Sequence, residues 1–115
     1  MYQVRLTDTA IQCLFDVEFF KTTTLKNSKA AAEFTDALLQ RTIKKIQNNP
    51  KQYKYNTTLA EYGLAVRERI DESDHRILFE VNETDKTIYI LLILHIRQDL
   101  LKALYRHQTI YIEPF

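Results

Sequence analysis

At 115 residues the chain has room for one domain built on one ordinary hydrophobic core. An apolar fraction of 45% excludes intrinsic disorder, and 16 basic against 15 acidic side chains, a net +1, exclude a polycation. The single cysteine, Cys13, excludes an internal disulfide framework and any cysteine-based zinc site, which makes a reducing cytoplasm the expected compartment.

In chain order, residues 2–6 alternate as a short strand, and Met1-Tyr2-Gln3-Val4-Arg5 carries no long apolar core, so no signal peptide is expected. Thr7 or Asp8 then offers an N-cap oxygen for a first helix. In that helix Ile11, Leu14, Phe15 and Phe19 recur at helical spacing, with Phe20 adjoining. The β-branched polar cluster Thr22-Thr23-Thr24 reads as the turn. A second helix is expected over residues 27–48, its stripe running through Ala31, Phe34, Leu38, Leu39, Ile43 and Ile46, and Asn48-Asn49-Pro50 stops it. The two helices then form an antiparallel hairpin. Eight basic residues against only Glu33 and Asp36 between Lys21 and Lys54 give this part a basic flank. Such a flank suits an acidic partner or a phosphate backbone, and equally an ordinary solvated helix face.

Residues 50–61 are polar, lack a period and read as a loop. Gly63, the only glycine, opens a strand half. Leu64, Val66 and Ile70 alternate with Ala65, Arg67 and Arg69, which predicts an apolar face opposite a basic one. Residues 71–74 form an acidic turn, and a strand over residues 76–81 sets Ile77, Phe79 and Val81 on one side. Residues 82–85 make a hairpin turn before a strand over residues 87–95. Its core, residues 88–94, is a seven-residue apolar run. That is about a third of a membrane span, so no membrane partner is expected. Being apolar on both faces, the strand belongs in the sheet interior. Residues 100–107 predict a short helix, and Ile110-Tyr111-Ile112 a final extended piece. The expected fold is therefore α+β over residues 1–115: an N-terminal strand, a helical hairpin, an antiparallel β-meander with the hairpin on one face, and a short C-terminal helix.

One glycine cannot build a phosphate-binding loop, no nucleophile-elbow serine exists, and His75, His95 and His107 lack the spacing of a metal site. No cofactor is therefore expected. What remains is cationic. Arg67 and Arg69 share one strand face about 7 Å apart. Arg76 follows on the pairing strand, His95 ends the third, and Arg97 stands two residues on. Guanidiniums and an imidazole on one sheet face suit a phosphate, bound or stabilised during cleavage. The alternative is that these arginines pair with Glu68, Asp71, Asp74, Glu80 and Asp99. Asp99 is also placed to cap the helix after it.

The run Gly63-Leu64-Ala65-Val66-Arg67-Glu68-Arg69-Ile70, followed by His75-Arg76-Ile77-Leu78-Phe79-Glu80-Val81, resembles the RelE/ParE superfamily of bacterial type II toxins. There a basic strand precedes a "YRILYEV"-like strand. Ile93-Leu94-His95-Ile96-Arg97-Gln98-Asp99-Leu100 is similar to the "ILHxRxDL" ending of ParE-like members, and Leu6-Thr7-Asp8-Thr9-Ala10 before an amphipathic helix fits as well. The resemblance implies a toxin neutralised by an antitoxin encoded beside it, in a toxin–antitoxin hetero-oligomer. Two targets follow from its two branches. ParE-like members inhibit DNA gyrase, with the C-terminal segment and exposed sheet edges as candidate contacts. RelE-like members cut mRNA in the ribosome, which would assign catalysis to Arg67, Arg69, Arg76, His95 and Arg97. The tyrosine of that second site falls on Ala103, with Tyr105 two residues late, and an always-protonated guanidinium is a poor general base, a role His95 would then take. The His-x-Arg-x-Asp-Leu ending and near-neutral charge favour the gyrase branch.

Overall fold

The structure is a computed structural model that describes residues 1–107. The extended piece expected at residues 110–112 lies outside them. A first strand β1 (Gln3–Leu6) leads into helices α1 (Asp8–Leu25) and α2 (Ser28–Asn48). A 3-10 turn (Pro50–Gln52) and a one-turn helix α3 (Thr57–Ala60) precede strands β2 (Arg67–Ile70), β3 (His75–Asn82) and β4 (Thr87–His95), and α4 (Leu100–His107) follows.

Thr7 starts α1. Its hydroxyl accepts from the Ala10 amide at 3.1 Å and donates to the Ile90 carbonyl at 3.0 Å, so one side chain caps the helix and fastens it to β4. The threonine cluster expected as a turn is instead the last turn of α1. The Thr22, Thr23 and Thr24 hydroxyls donate to the carbonyls of Glu18, Phe19 and Phe20, which satisfies the hydroxyls within the helix. The turn itself is only Lys26, in the left-handed region at φ 54°, and Asn27, whose side chain caps α2 by accepting from Ala30.

The strands lie in the order β1-β4-β3-β2. β2, β3 and β4 form the expected antiparallel meander, with β4 interior. β1 pairs with β4 in parallel, so the complete sheet is mixed. Leu78 pairs with Leu92 and Phe79 with Ile90, leaving Leu91 as an extra residue in a bulge on β4. The core is formed by Ile77, Phe79, Ile88, Ile90 and Ile93 of the sheet, Ala10 and Cys13 of α1, Leu38 and Ile46 of α2, and Leu100, Ala103 and Leu104 of α4. No helix of the described residues is long and apolar enough to cross a membrane.

Three sequence expectations change here. Residues 50–61 contain two short helical turns that their polar composition hides; Asn56 caps the second by accepting from Leu59. The β2 faces are reversed in burial: Arg69 is 5% exposed while Ile70 is 51% exposed. Of the stripe that marked α1, Leu14 packs against the core while Ile11 and the three phenylalanines face outward. Ala10, Cys13 and Val17 are the buried side, whereas Phe15, Phe19 and Phe20 are 62%, 76% and 65% exposed. The helix is apolar on two sides, and spacing alone does not say which one packs.

Candidate functional site

Register divides the candidate cations between the two sheet faces. Arg67 and Arg69 pair with Phe79 and Ile77 and share their face; Glu68 and Ile70 pair with Leu78 and Arg76 on the other. Arg69 reaches Thr42 of α2 at 3.1 Å, so the Arg67–Arg69 side is the one beneath the helices. Arg76 therefore does not join the two arginines of β2.

Each of the three is held by groups of the chain itself. Arg69 Nη1 lies 2.8 Å from Asp71 Oδ1. Arg67 donates to the carbonyl of Tyr53 at 2.6 Å and to the Tyr55 hydroxyl at 3.1 Å, with its guanidinium 4.2 Å over the Tyr55 ring. Arg76 Nε lies 3.1 Å from Glu68 Oε1 but out of line for a hydrogen bond, so its buried N–H is held by charge proximity alone. Glu68 also accepts from Asn56 at 3.0 Å.

Asp71 is the centre of this polar core, a role that its place in an acidic turn does not suggest. Its side chain is fully buried and accepts from Arg41 Nη2 at 2.8 Å, from Arg69, from the Ser73 amide at 3.0 Å and from the Ser73 hydroxyl at 2.5 Å. Burial alone would raise its pKa. The hydrogen bonds from Arg41, Ser73 and Arg69 outweigh that and hold the carboxyl well below the usual carboxylate range. Because the Ser73 hydroxyl gives its hydrogen to Asp71, the Ser73–His75 contact of 3.0 Å requires the hydrogen on His75 Nδ1. The serine lies between carboxylate and imidazole, so no base is free to take its proton, and the row is a positioning device rather than a nucleophile.

His75 is buried and packs edge-on against Phe34 of α2 and His95 of β4, with ring centroids 5.7 and 5.4 Å away. Burial lowers its pKa first, and the neighbouring His95 and Lys21 lower it further. His95 Nδ1 accepts from the Arg97 amide at 3.2 Å, and the His95 amide donates to Gln98 at 2.9 Å, which fixes the turn after β4. Asp99 caps α4 as expected, accepting from Lys102 at 2.9 Å. His95 and Arg97 thus stand together, away from the β2 arginines. They line a cleft of about 930 Å³ whose walls come from α1, the ends of β3 and β4, and α4. Among the described residues, no group of three or more His, Cys, Asp or Glu side chains is arranged to hold a metal ion.

Comparison with known proteins gives two kinds of match. The family described as the ParE toxin of the type II toxin–antitoxin system parDE matches residues 4–100. Among solved structures, a chain of the chromosomal ParDE toxin–antitoxin system of P. aeruginosa superposes with a TM-score of 0.66 at 19% identity, covering 84% of this chain and 98% of that one. A chain of the RelBE2 toxin–antitoxin complex of Mycobacterium tuberculosis gives 0.56 at 18%, covering 82% and 96%. The isolated RelE toxin of E. coli gives 0.54 at 9%, covering 96% and 100%. No curated protein sequence matches.

Proposed function

For a chain that belongs to the ParE toxin family of type II toxin–antitoxin systems, we propose action by protein–protein inhibition of DNA gyrase, relieved by a cognate antitoxin. The observation that carries this reading is the fate of the three sheet arginines. Arg69 is buried against Asp71, Arg67 is bound to loop carbonyls, and Arg76 lies on the opposite face beside Glu68. A ribonuclease needs cations that converge on one phosphate, with a group able to take the 2′-hydroxyl proton. Here those charges are spent on internal acceptors, and Ala103, where the tyrosine of the RelE-like site would fall, is buried.

Inhibition by docking needs an exposed contact surface. The outward side of α1 supplies one: Ile11, Phe15, Phe19 and Phe20 are apolar and solvent-facing along one helix. A partner whose apolar segment folds onto that helix fits it, and the solved relatives named for toxin–antitoxin pairs support an antitoxin as the partner. The described C-terminal helix and the sheet edges β1 and β2 remain for the target.

Arg76→Ala tests the reading. Growth arrest by the variant in cells lacking antitoxin is expected to match the wild type, because among the described residues the guanidinium pairs with Glu68 alone. Loss of arrest in a variant that folds, together with loss of codon-specific mRNA cuts by primer extension, would instead assign Arg76 to catalysis.

A further inference from the structure

The cleft between α1, the ends of β3 and β4, and α4 is unlike the β2 arginine cluster in how its charges are used. Arg41, Lys51, Arg69, Arg76 and Lys86 all have a carboxylate within ion-pair distance. Among the described residues, Lys21, Arg97 and Arg106 of the cleft have none, although they come from three different elements. Lys21 is held by its contact with the Phe34 ring, 4.4 Å from Nζ to centroid. Arg106 reaches the imidazole of His107 at 3.2 Å. Asp16, the carboxylate on the wall, accepts from Gln12 at 3.1 Å. Among the described residues the lining therefore carries three permanent positive charges against one negative, beside the imidazoles of His75, His95 and His107.

Depth and apolar surface limit what such a lining holds. A volume of about 930 Å³ lies in the range of small-molecule and cofactor sites, far more than a bare anion fills. Val17 and Ile93 supply an apolar floor, and Phe20 offers a ring face at the rim. Guanidiniums from separate elements match a tetrahedral anion, which presents acceptors in several directions, better than a planar carboxylate. We propose that this cleft binds a phosphomonoester of nucleotide size, its phosphate on Arg97, Arg106 and Lys21 and its planar body against Phe20. The lowered pKa of His75, caused in part by Lys21 and His95, agrees with a positive field inside the cleft. The site lies apart from Arg67, Arg69 and Arg76, and it shares His95 and Arg97 with the set that a RelE-like resemblance implies.

Calorimetric titration of the purified chain tests this with three probes: inorganic phosphate, a nucleoside 5′-monophosphate and the uncharged nucleoside. Saturable binding is expected for the monophosphate, weaker binding for phosphate alone, and none for the nucleoside. Arg97→Gln with Arg106→Gln is expected to weaken the monophosphate about tenfold or more. Lys44→Gln with Lys45→Gln, which removes the same charge from exposed sites on α2, is expected to leave binding within about twofold. Phe20→Ala alters only an exposed ring and is expected to weaken the monophosphate but not inorganic phosphate. The proposal is overturned if no probe saturates at millimolar concentration, if nucleoside binds as well as its monophosphate, or if the α2 pair weakens binding as much as the cleft pair.

Discussion

Asp71→Asn is the substitution that most sharply separates a structural polar core from a catalytic one. Asn keeps the shape and one acceptor oxygen but removes the charge that two guanidiniums share. Arg69 has a side chain only 5% exposed and, among the described residues, no other carboxylate within ion-pair distance, whereas Arg41 is 31% exposed and retains Glu72 at 3.0 Å. Breaking a buried pair by removing one partner costs about 3–5 kcal/mol. The lower end applies here, about 3 kcal/mol, because Asn still accepts from Ser73 and Arg41 keeps a partner. Against a total stability of roughly 5–15 kcal/mol for a domain of this size, that corresponds to a fall in Tm of about 10 °C. Urea unfolding followed by far-ultraviolet circular dichroism at pH 7 measures it. The pH dependence carries its own sign. Asp71 has a folded pKa below its ordinary value of 3.8, so the unfolded chain binds the proton first as pH falls. Its contribution is complete above about pH 4 and fades below that, so wild type and variant converge in acid. A loss under about 1 kcal/mol at pH 7, or a difference that grows in acid, would refute the reasoning.

Lys26 sits at φ 54° and ψ 35°, a conformation glycine adopts without penalty, so Lys26→Gly is expected to stabilise the chain by about 1 kcal/mol in the same assay. Phe15→Ser and Phe19→Ser remove rings that are mostly exposed to solvent. Stability should stay within about 0.5 kcal/mol, while affinity for the cognate antitoxin, measured by calorimetry, is expected to drop about tenfold or more.

The parts of this fold that show in the sequence are those set by local pattern. A strand apolar on both faces had to be interior, and β4 is; Asn27 and Asp99 were expected at helix starts and act as caps there. Contacts between distant segments were not visible in the same way. Arg69 is buried because Thr42 of α2 accepts from it and Arg41 of α2 meets Asp71 beside it, and nothing in the alternation of β2 announces that. Alternation instead put Ile70 inside, where it is half exposed. On α1 the spacing of Ile11, Phe15 and Phe19 was real, but the small residues Ala10, Cys13 and Val17 take the packed side. The larger apolar side chains Ile11, Phe15 and Phe19 are left exposed. For the arginines, residue type and order outlined a ribonuclease, while face and pairing, which depend on register and tertiary contact, point elsewhere.

The most direct test is gyrase itself. Purified gyrase supercoiling relaxed plasmid is titrated with the purified chain to micromolar concentration, alone and after mixing with its antitoxin. The account predicts loss of supercoiling with accumulation of cleaved DNA, reversed by antitoxin. Supercoiling that stays intact while translated mRNA is cut would contradict it.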